Sequence, residues 1–197
     1  MSGRTVTMNI DGGLAVSRKL SQLSDQLPWI QRRAMATLRR RLPVYARRDM
    51  QAEYNIGARR VNQDLSSRID GDTIKLTGHW RGIGLMNFGA RETRKGVTAS
   101  IMRGRRSLYP GAFKAPLASG NVQVVSRYGA KRVMTQGRYK GKLRQPLAVE
   151  YGATVAQMLA KGRRPERLAD YAGSKLLEEA ERIFDVRYGR KPPTTTG

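Results

Sequence analysis

Between Phe88 and Lys142 the chain carries thirteen Lys and Arg residues against a single carboxylate, Glu92. The chemistry open to such a segment is anion binding, by guanidinium and ammonium groups that nothing nearby in sequence neutralises. Nine of these cations form the candidate contact set: Arg91, Arg94, Lys95, Arg103, Arg105, Arg106, Lys114, Lys131 and Arg132. Tyr109, Tyr128 and Tyr139 are interleaved with them, as a stacking surface for nucleic-acid bases would require. No zinc-finger, RRM or KH signature accompanies the charge, so the reading is phosphate contact rather than sequence-specific recognition.

Catalysis has little to work with. The only histidine, His79, stands beside Trp80 between Gly78 and Gly82 and reads as structural or exposed. The absence of cysteine removes thiolate metal sites and disulfides. Gly137-Arg-Tyr-Lys-Gly141-Lys142 is too short between glycines for a P-loop and lacks the following Ser or Thr, although its backbone amides could cradle a phosphate. Glu178, Glu179 and Glu181 lie on the last helix among Lys175 and Arg182, where helix salt bridges explain them better than a metal site. Asp70 and Asp72 flank a turn glycine and are explained by turn chemistry. No enzymatic activity, metal or cofactor is expected.

The cations have to be held by the segments around them. Val97, Ala99 and Ile101, then Val122, Val124 and Val133, recur near period two, the pattern of half-buried strands. Glycines at 89, 96, 104, 111, 120, 129, 137 and 141 mark turns between them. Upstream, Val6, Met8 and Ile10 predict a strand ended by Asp11-Gly12-Gly13. A helix is expected over Leu14–Gln26, and a second, amphipathic and basic on its outer face, from Trp29 to about Met50, with a kink or break at Pro43. Ala58–Leu65 reads as two helical turns. Ser67–Asp70 and Thr73–Leu76 around Gly71-Asp72 read as a hairpin, and Ile83, Leu85 and Phe88 as a further strand. Gln145–Gly152 is extended, Thr154–Gln157 has capping-box spacing, and Pro165-Glu166 opens a last helix with the stripe Leu168, Ala172, Leu176, Ala180, Ile183 and Phe184. Gly189 and Pro192 are expected to end that helix.

The fold class is therefore α+β: a mainly antiparallel sheet of short strands, with long amphipathic helices towards the N-terminal and C-terminal ends. A length of 197 residues suits one domain, assigned to 1–190, with basic loops at 89–96, 103–111 and 128–142. The first two loops are expected to order only on assembly, and 191–197 reads as a flexible tail. The whole chain has 38 Lys plus Arg against 15 Asp plus Glu, a formal charge of +23, so the partner is expected to be anionic. No apolar run is long enough to span a membrane, and MSGRTVTMNIDGG has no signal-peptide core, so a soluble protein used or assembled in a cytoplasm is expected, with no membrane partner.

The order of the segments resembles the minor tail protein Z family of tailed phages. The resemblance is carried by Tyr54-Asn55-Ile56 before a short Arg-rich helix, by Asn87-Phe88-Gly89-Ala90-Arg91-Glu92-Thr93-Arg94-Lys95-Gly96-Val97, by Tyr109-Pro110-Gly111-Ala112-Phe113, by Gly129-Ala130-Lys131-Arg132, and by Leu147–Leu159 running through Tyr151-Gly152. It covers roughly Leu14 to Leu159. It departs at Ala153, where proline is expected, and in a longer glycine- and arginine-rich insertion between Tyr128 and Leu143. The resemblance implies a structural virion protein at the head-proximal end of the tail, assembled in the host cytoplasm, which completes the tail and supports head-tail joining. Tail tube and terminator subunits, the tape measure protein, the head-tail connector and the DNA end are the implied partners. A homo-oligomeric ring is expected on symmetry grounds. The competing reading is a freestanding nucleic-acid-binding protein without sequence specificity.

Overall fold

The computed structural model describes residues 5–11, 27–117 and 119–188, so the helix expected over Leu14–Gln26, the turn at Gly12-Gly13, the end of the last helix at Gly189 and Pro192, and the tail at 191–197 lie outside it. The chain is α+β, with antiparallel pairing throughout the described sheets. Two compact units emerge, one built from Met1–Asp49, Asn62–Trp80 and Val155–Gly197, the other from Met50–Val61 and Arg81–Thr154.

The first unit contains β1 (Thr5–Asp11), helix α1 (Leu27–Glu53) up to Asp49, the end of α2 (Ala58–Asp64), β2 (Leu65–Asp70), β3 (Thr73–His79), α3 (Val155–Leu159) and α4 (Arg164–Tyr188). β3 is the middle strand of the order β1-β3-β2. The two-residue connection Gly71-Asp72 opens with a positive φ of 58° at glycine, the requirement of a tight hairpin turn that follows the twist of its strands. Along β3, Ile74, Leu76 and Gly78 are buried, and Gly78 lies against the backbone of α3, where a Cβ would stand 3.2 Å from Ala156.

α1 and α4 run antiparallel along their apolar stripes. Ile30, Ala34, Met35, Leu38, Leu42 and Ala46 are buried on one, and Leu168, Ala172, Leu176, Ala180 and Ile183 on the other. The Tyr45 and Tyr171 rings stack at 3.7 Å. Towards the opposite ends, the Arg187 guanidinium lies 4.4 Å from the Trp29 ring centroid.

Of the kink or break expected at Pro43, the break does not occur: α1 is continuous through it. Two physical terms account for this. An interior proline costs about 3 kcal/mol, while burying Leu38 and Leu42 returns about 1.5–3 kcal/mol each. The Arg39 carbonyl, which Pro43 has no amide to reach, accepts a hydrogen bond from Ser67 Oγ on β2 at 2.7 Å. Ser67→Ala should therefore cost about 1 kcal/mol in urea unfolding, and the loss should disappear in a Pro43→Ala background, where an amide is restored. Equal losses in both backgrounds would assign the hydroxyl a different role.

The second unit contains the remaining turns of α1 and α2 together with β4 (Ile83–Gly84), a 3-10 turn (Leu85–Phe88), β5 (Arg91–Thr93), β6 (Gly96–Ala99), β7 (Ser107–Pro110), β8 (Phe113–Pro116), β9 (Val122–Arg127), β10 (Arg132–Val133), β11 (Leu143–Arg144), β12 (Leu147–Val149) and β13 (Tyr151–Gly152). Its sheets have the orders β5-β6-β7 and β12-β9-β8, with the pairs β13-β4 and β10-β11. The expected strand through Leu85 and Phe88 is a 3-10 turn instead. With three residues per turn, Leu85 and Phe88 fall on one side, and both are fully buried. They join Tyr54, Ile56, Ile83, Val97, Ala99, Val124 and Val125 among the buried side chains of this unit. Gly152 is pressed against Phe88, where a Cβ would come within 2.4 Å of the ring.

Two of the expected basic loops are about half strand. Residues 89–96 hold β5 and its turn into β6, and 103–111 hold β7, so both flank β6 in a three-stranded sheet. Val133, expected on a half-buried strand, is 59% exposed on β10.

Candidate anion-binding surface

The second unit holds seventeen Lys and Arg residues against three carboxylates, Glu53, Glu92 and Glu150, a formal charge of +14. Glu92 and Glu150 are occupied by uncharged donors. The Lys114 amide donates to Glu92 Oε1 at 2.9 Å, and the Ser126 hydroxyl donates to Glu150. A carboxylate engaged this way still offsets the field, but its geometry is fixed by the fold rather than by a cation.

Around the β5-β6-β7 sheet the cations divide by task. Arg91 is exposed on β5 opposite Thr98, and Arg94 and Lys95 are exposed on the turn that follows. Arg103 is a brace: its amide donates to the Glu53 carbonyl at 2.8 Å and its Nε to the Gln51 carbonyl at 2.5 Å, taking up acceptors at the end of α1. Arg106 is a second brace. Its guanidinium donates to the Gly89 carbonyl at 3.1 Å and to the Thr98 carbonyl and hydroxyl at 3.3 Å. Both side chains remain exposed and charged, so they add to the field, yet their orientation is spent on backbone carbonyls. Between them Arg105 is exposed, with its carbonyl held by the Ser100 hydroxyl at 3.0 Å.

The remaining candidates sit on other elements. Lys114 is half-buried on β8 opposite Val124. Lys131 precedes β10 and Arg132 lies on it, both exposed, and Arg132 faces Arg144 across the β10-β11 pair. Arg144 was not among the sequence candidates, because only the register of this hairpin places it opposite Arg132. The glycines at 137 and 141 were the available signal that the chain reverses between them.

The three tyrosines differ in exposure and in what covers them. Tyr109 is half-buried on β7, and burial, then the nearby Glu150 charge, hold its phenol above the ordinary value. The Arg144 guanidinium covers Tyr139 at 3.8 Å from the ring centroid, with Arg138 at 5.9 Å. Tyr128 is exposed beside Arg127, whose guanidinium lies 5.4 Å from the Phe113 ring.

Among the described residues no group of three or more His, Asp or Glu is arranged to hold a metal ion, and no helix is long and apolar enough to cross a membrane. His79 is exposed at the end of β3. Comparison with family models, with curated proteins and with solved structures returns no match to this chain.

Proposed function

We propose that this chain is a structural, non-enzymatic virion protein of a tailed phage, placed at the head-proximal end of the tail, where it completes the tail and supports head-tail joining. The observation that carries the reading is a small β-rich unit with a charge of +14 whose cations stand on short strands and on the turns between them, with Arg103 and Arg106 bracing backbone carbonyls. Such a surface suits a fixed polyanionic neighbour, either packaged DNA or the acidic faces of tube, terminator or connector subunits. The segment order shared with the minor tail protein Z family supports the same placement. Copies arranged head to tail about the tail axis would close into a ring, turning each basic surface into a repeated band. Assembly takes place in the host cytoplasm.

Virions made without the protein provide the test, with heads and tails scored by electron microscopy and joining assayed after adding the purified chain. Filled heads beside tails of normal length that stay uninfectious until the protein is supplied are the expected result. Joined, infectious particles in its absence would overturn the proposal and leave the second reading, a freestanding nucleic-acid-binding protein, which the charge also supports. The electrostatic part is best probed by Arg94→Glu, Lys95→Glu and Arg105→Glu. Charge reversal at Arg103 or Arg106 would remove a brace as well as a charge.

A further inference from the structure

The segment from Lys131 to Arg144 has six Lys and Arg residues and no carboxylate. It folds back on itself as β10 and β11, placing Arg132 opposite Arg144 and Val133 opposite Leu143. Like charges directly across a strand pair destabilise it. The apolar pair offers little in return, since Val133 is 59% and Leu143 63% exposed. Two-stranded hairpins are marginal in water even with better strands than these.

The hairpin nevertheless has a defined shape. The Met134 amide donates to the Lys142 carbonyl at 3.0 Å, and the Gly141 amide to the Met134 carbonyl at 2.8 Å. Gly137 and Gly141 take φ values of 77° and 80°, open to glycine and strained for other residues. The Arg144 guanidinium fixes the Tyr139 ring beneath it. Neither burial nor charge balance within the chain accounts for an element so built, whereas a polyanion lying along it would.

We propose that β10-β11 is an arm that lies in a groove of duplex DNA, with Arg132, Lys140 and Lys142 on phosphates. Three observations select duplex DNA. A two-stranded ribbon has the width the major groove admits. Half of the arm's cations are lysine, a residue depleted from protein interfaces but well suited to phosphate. Arg144 already occupies one face of Tyr139, which leaves less of the ring as a platform for unpaired bases. The inference deepens the proposed function by naming the partner of one basic element, and rests on it only for the presence of DNA near the protein.

The test is fluorescence anisotropy of a labelled duplex of about two helical turns, titrated with the purified full chain between about 50 and 200 mM salt. The triple variant Arg132→Gln/Lys140→Gln/Lys142→Gln is compared with Arg39→Gln/Arg40→Gln/Arg48→Gln, which removes the same charge from the exposed side of α1. The arm variant should bind about tenfold or more weakly and lose about 3 from the slope of log affinity against log salt, at about 0.9 per phosphate. The control should change affinity less than about threefold. Because the three arm side chains are exposed, unchanged thermal melts should accompany the loss. Equal weakening in both variants would overturn the proposal in favour of diffuse attraction. Failure of the parent chain to bind duplex, or binding to polyglutamate alone, would overturn it in favour of an acidic protein partner. Loss of duplex binding in the arm variant, alongside virions that join without the protein, would keep the arm and reject the tail reading. An arm variant that rescues joining, from a parent chain that never binds duplex, would do the reverse.

Discussion

Asp49→Asn lowers the unfolding free energy of the first unit by about 3 kcal/mol, while Arg167→Gln, which removes one of the same contacts, costs at most about 1 kcal/mol. Asp49 near the end of α1 accepts from two residues at the start of α4. Arg164 Nε donates at 2.5 Å, and an Arg167 terminal nitrogen lies 3.1 and 2.9 Å from the two carboxylate oxygens. The two arginines differ in burial: Arg164 is 1% exposed and also donates to the Met158 carbonyl, whereas Arg167 is half exposed. Solvent screens the second pair more than the first. Asparagine keeps a similar volume but only one oxygen acceptor, and its amide nitrogen is a donor facing donors, so the substitution removes the charge together with one accepted hydrogen bond and leaves two guanidiniums side by side. Equal losses in the two variants, measured by chemical unfolding, would mean that the Arg164 pair is screened like a surface one.

The same carboxylate gives stability a pH dependence whose sign can be worked out. Burial alone raises the Asp49 pKa, but the hydrogen bonds and charges of Arg167 and Arg164 outweigh it and hold the carboxyl below its ordinary value. A group with a depressed folded pKa contributes stability that is fully present above its unfolded value, near 3.9, and is lost as pH falls through the folded value. The gap between parent and Asp49→Asn should therefore be constant from neutral pH down to about 5 and narrow below about 4. Glu179 acts in the same direction: the Arg182 hydrogen bond depresses its pKa against the effect of burial. It survives in both proteins and cancels from the difference.

Much of the first unit was legible because its signals are local. The α1 and α4 stripes, the Gly71-Asp72 turn and the proline-opened last helix each depend on residues a few positions apart, and each is where the spacing predicted. The passage of α1 through Pro43 was not legible, since the group that satisfies Arg39 comes from Ser67, 28 residues further on. In the second unit, β5 and β7 carry mostly exposed side chains, so hydrophobic alternation could not separate them from loops. Their order comes from pairing with β6. The candidate surface shows the same division. Residue type identified the cations, but that Arg103 braces Gln51 across 52 positions while Arg105 stays at the surface is set by tertiary partners alone.

Gly96→Ala disrupts the β5-β6-β7 sheet, at a cost of about 3 kcal/mol or more from backbone strain combined with overpacking. Gly96 opens β6 with a φ of 140°, a conformation that L side chains rarely adopt. It sits opposite Pro110, and an added Cβ would stand 2.2 Å from the Tyr109 carbonyl oxygen and 2.9 Å from the Gly111 amide nitrogen. Both are backbone atoms, so no side-chain rotation relieves the clash. The strands must separate. At Gly152 the obstacle is instead the Phe88 ring, a side chain, and Gly104 has open space at the Cβ position, so Gly104→Ala meets only the strain of a φ of 73° and should cost about 1–3 kcal/mol. Hydrogen exchange distinguishes the cases. Gly96→Ala should abolish protection of the Val97 and Ala99 amides while Ile74 and Leu76 in the first unit keep theirs. Retained protection at Val97 would mean that β7 moves aside and re-pairs. The spacing that sets Arg91, Arg94 and Lys95 against Arg105 and Arg106 would then be adjustable rather than fixed by the sheet.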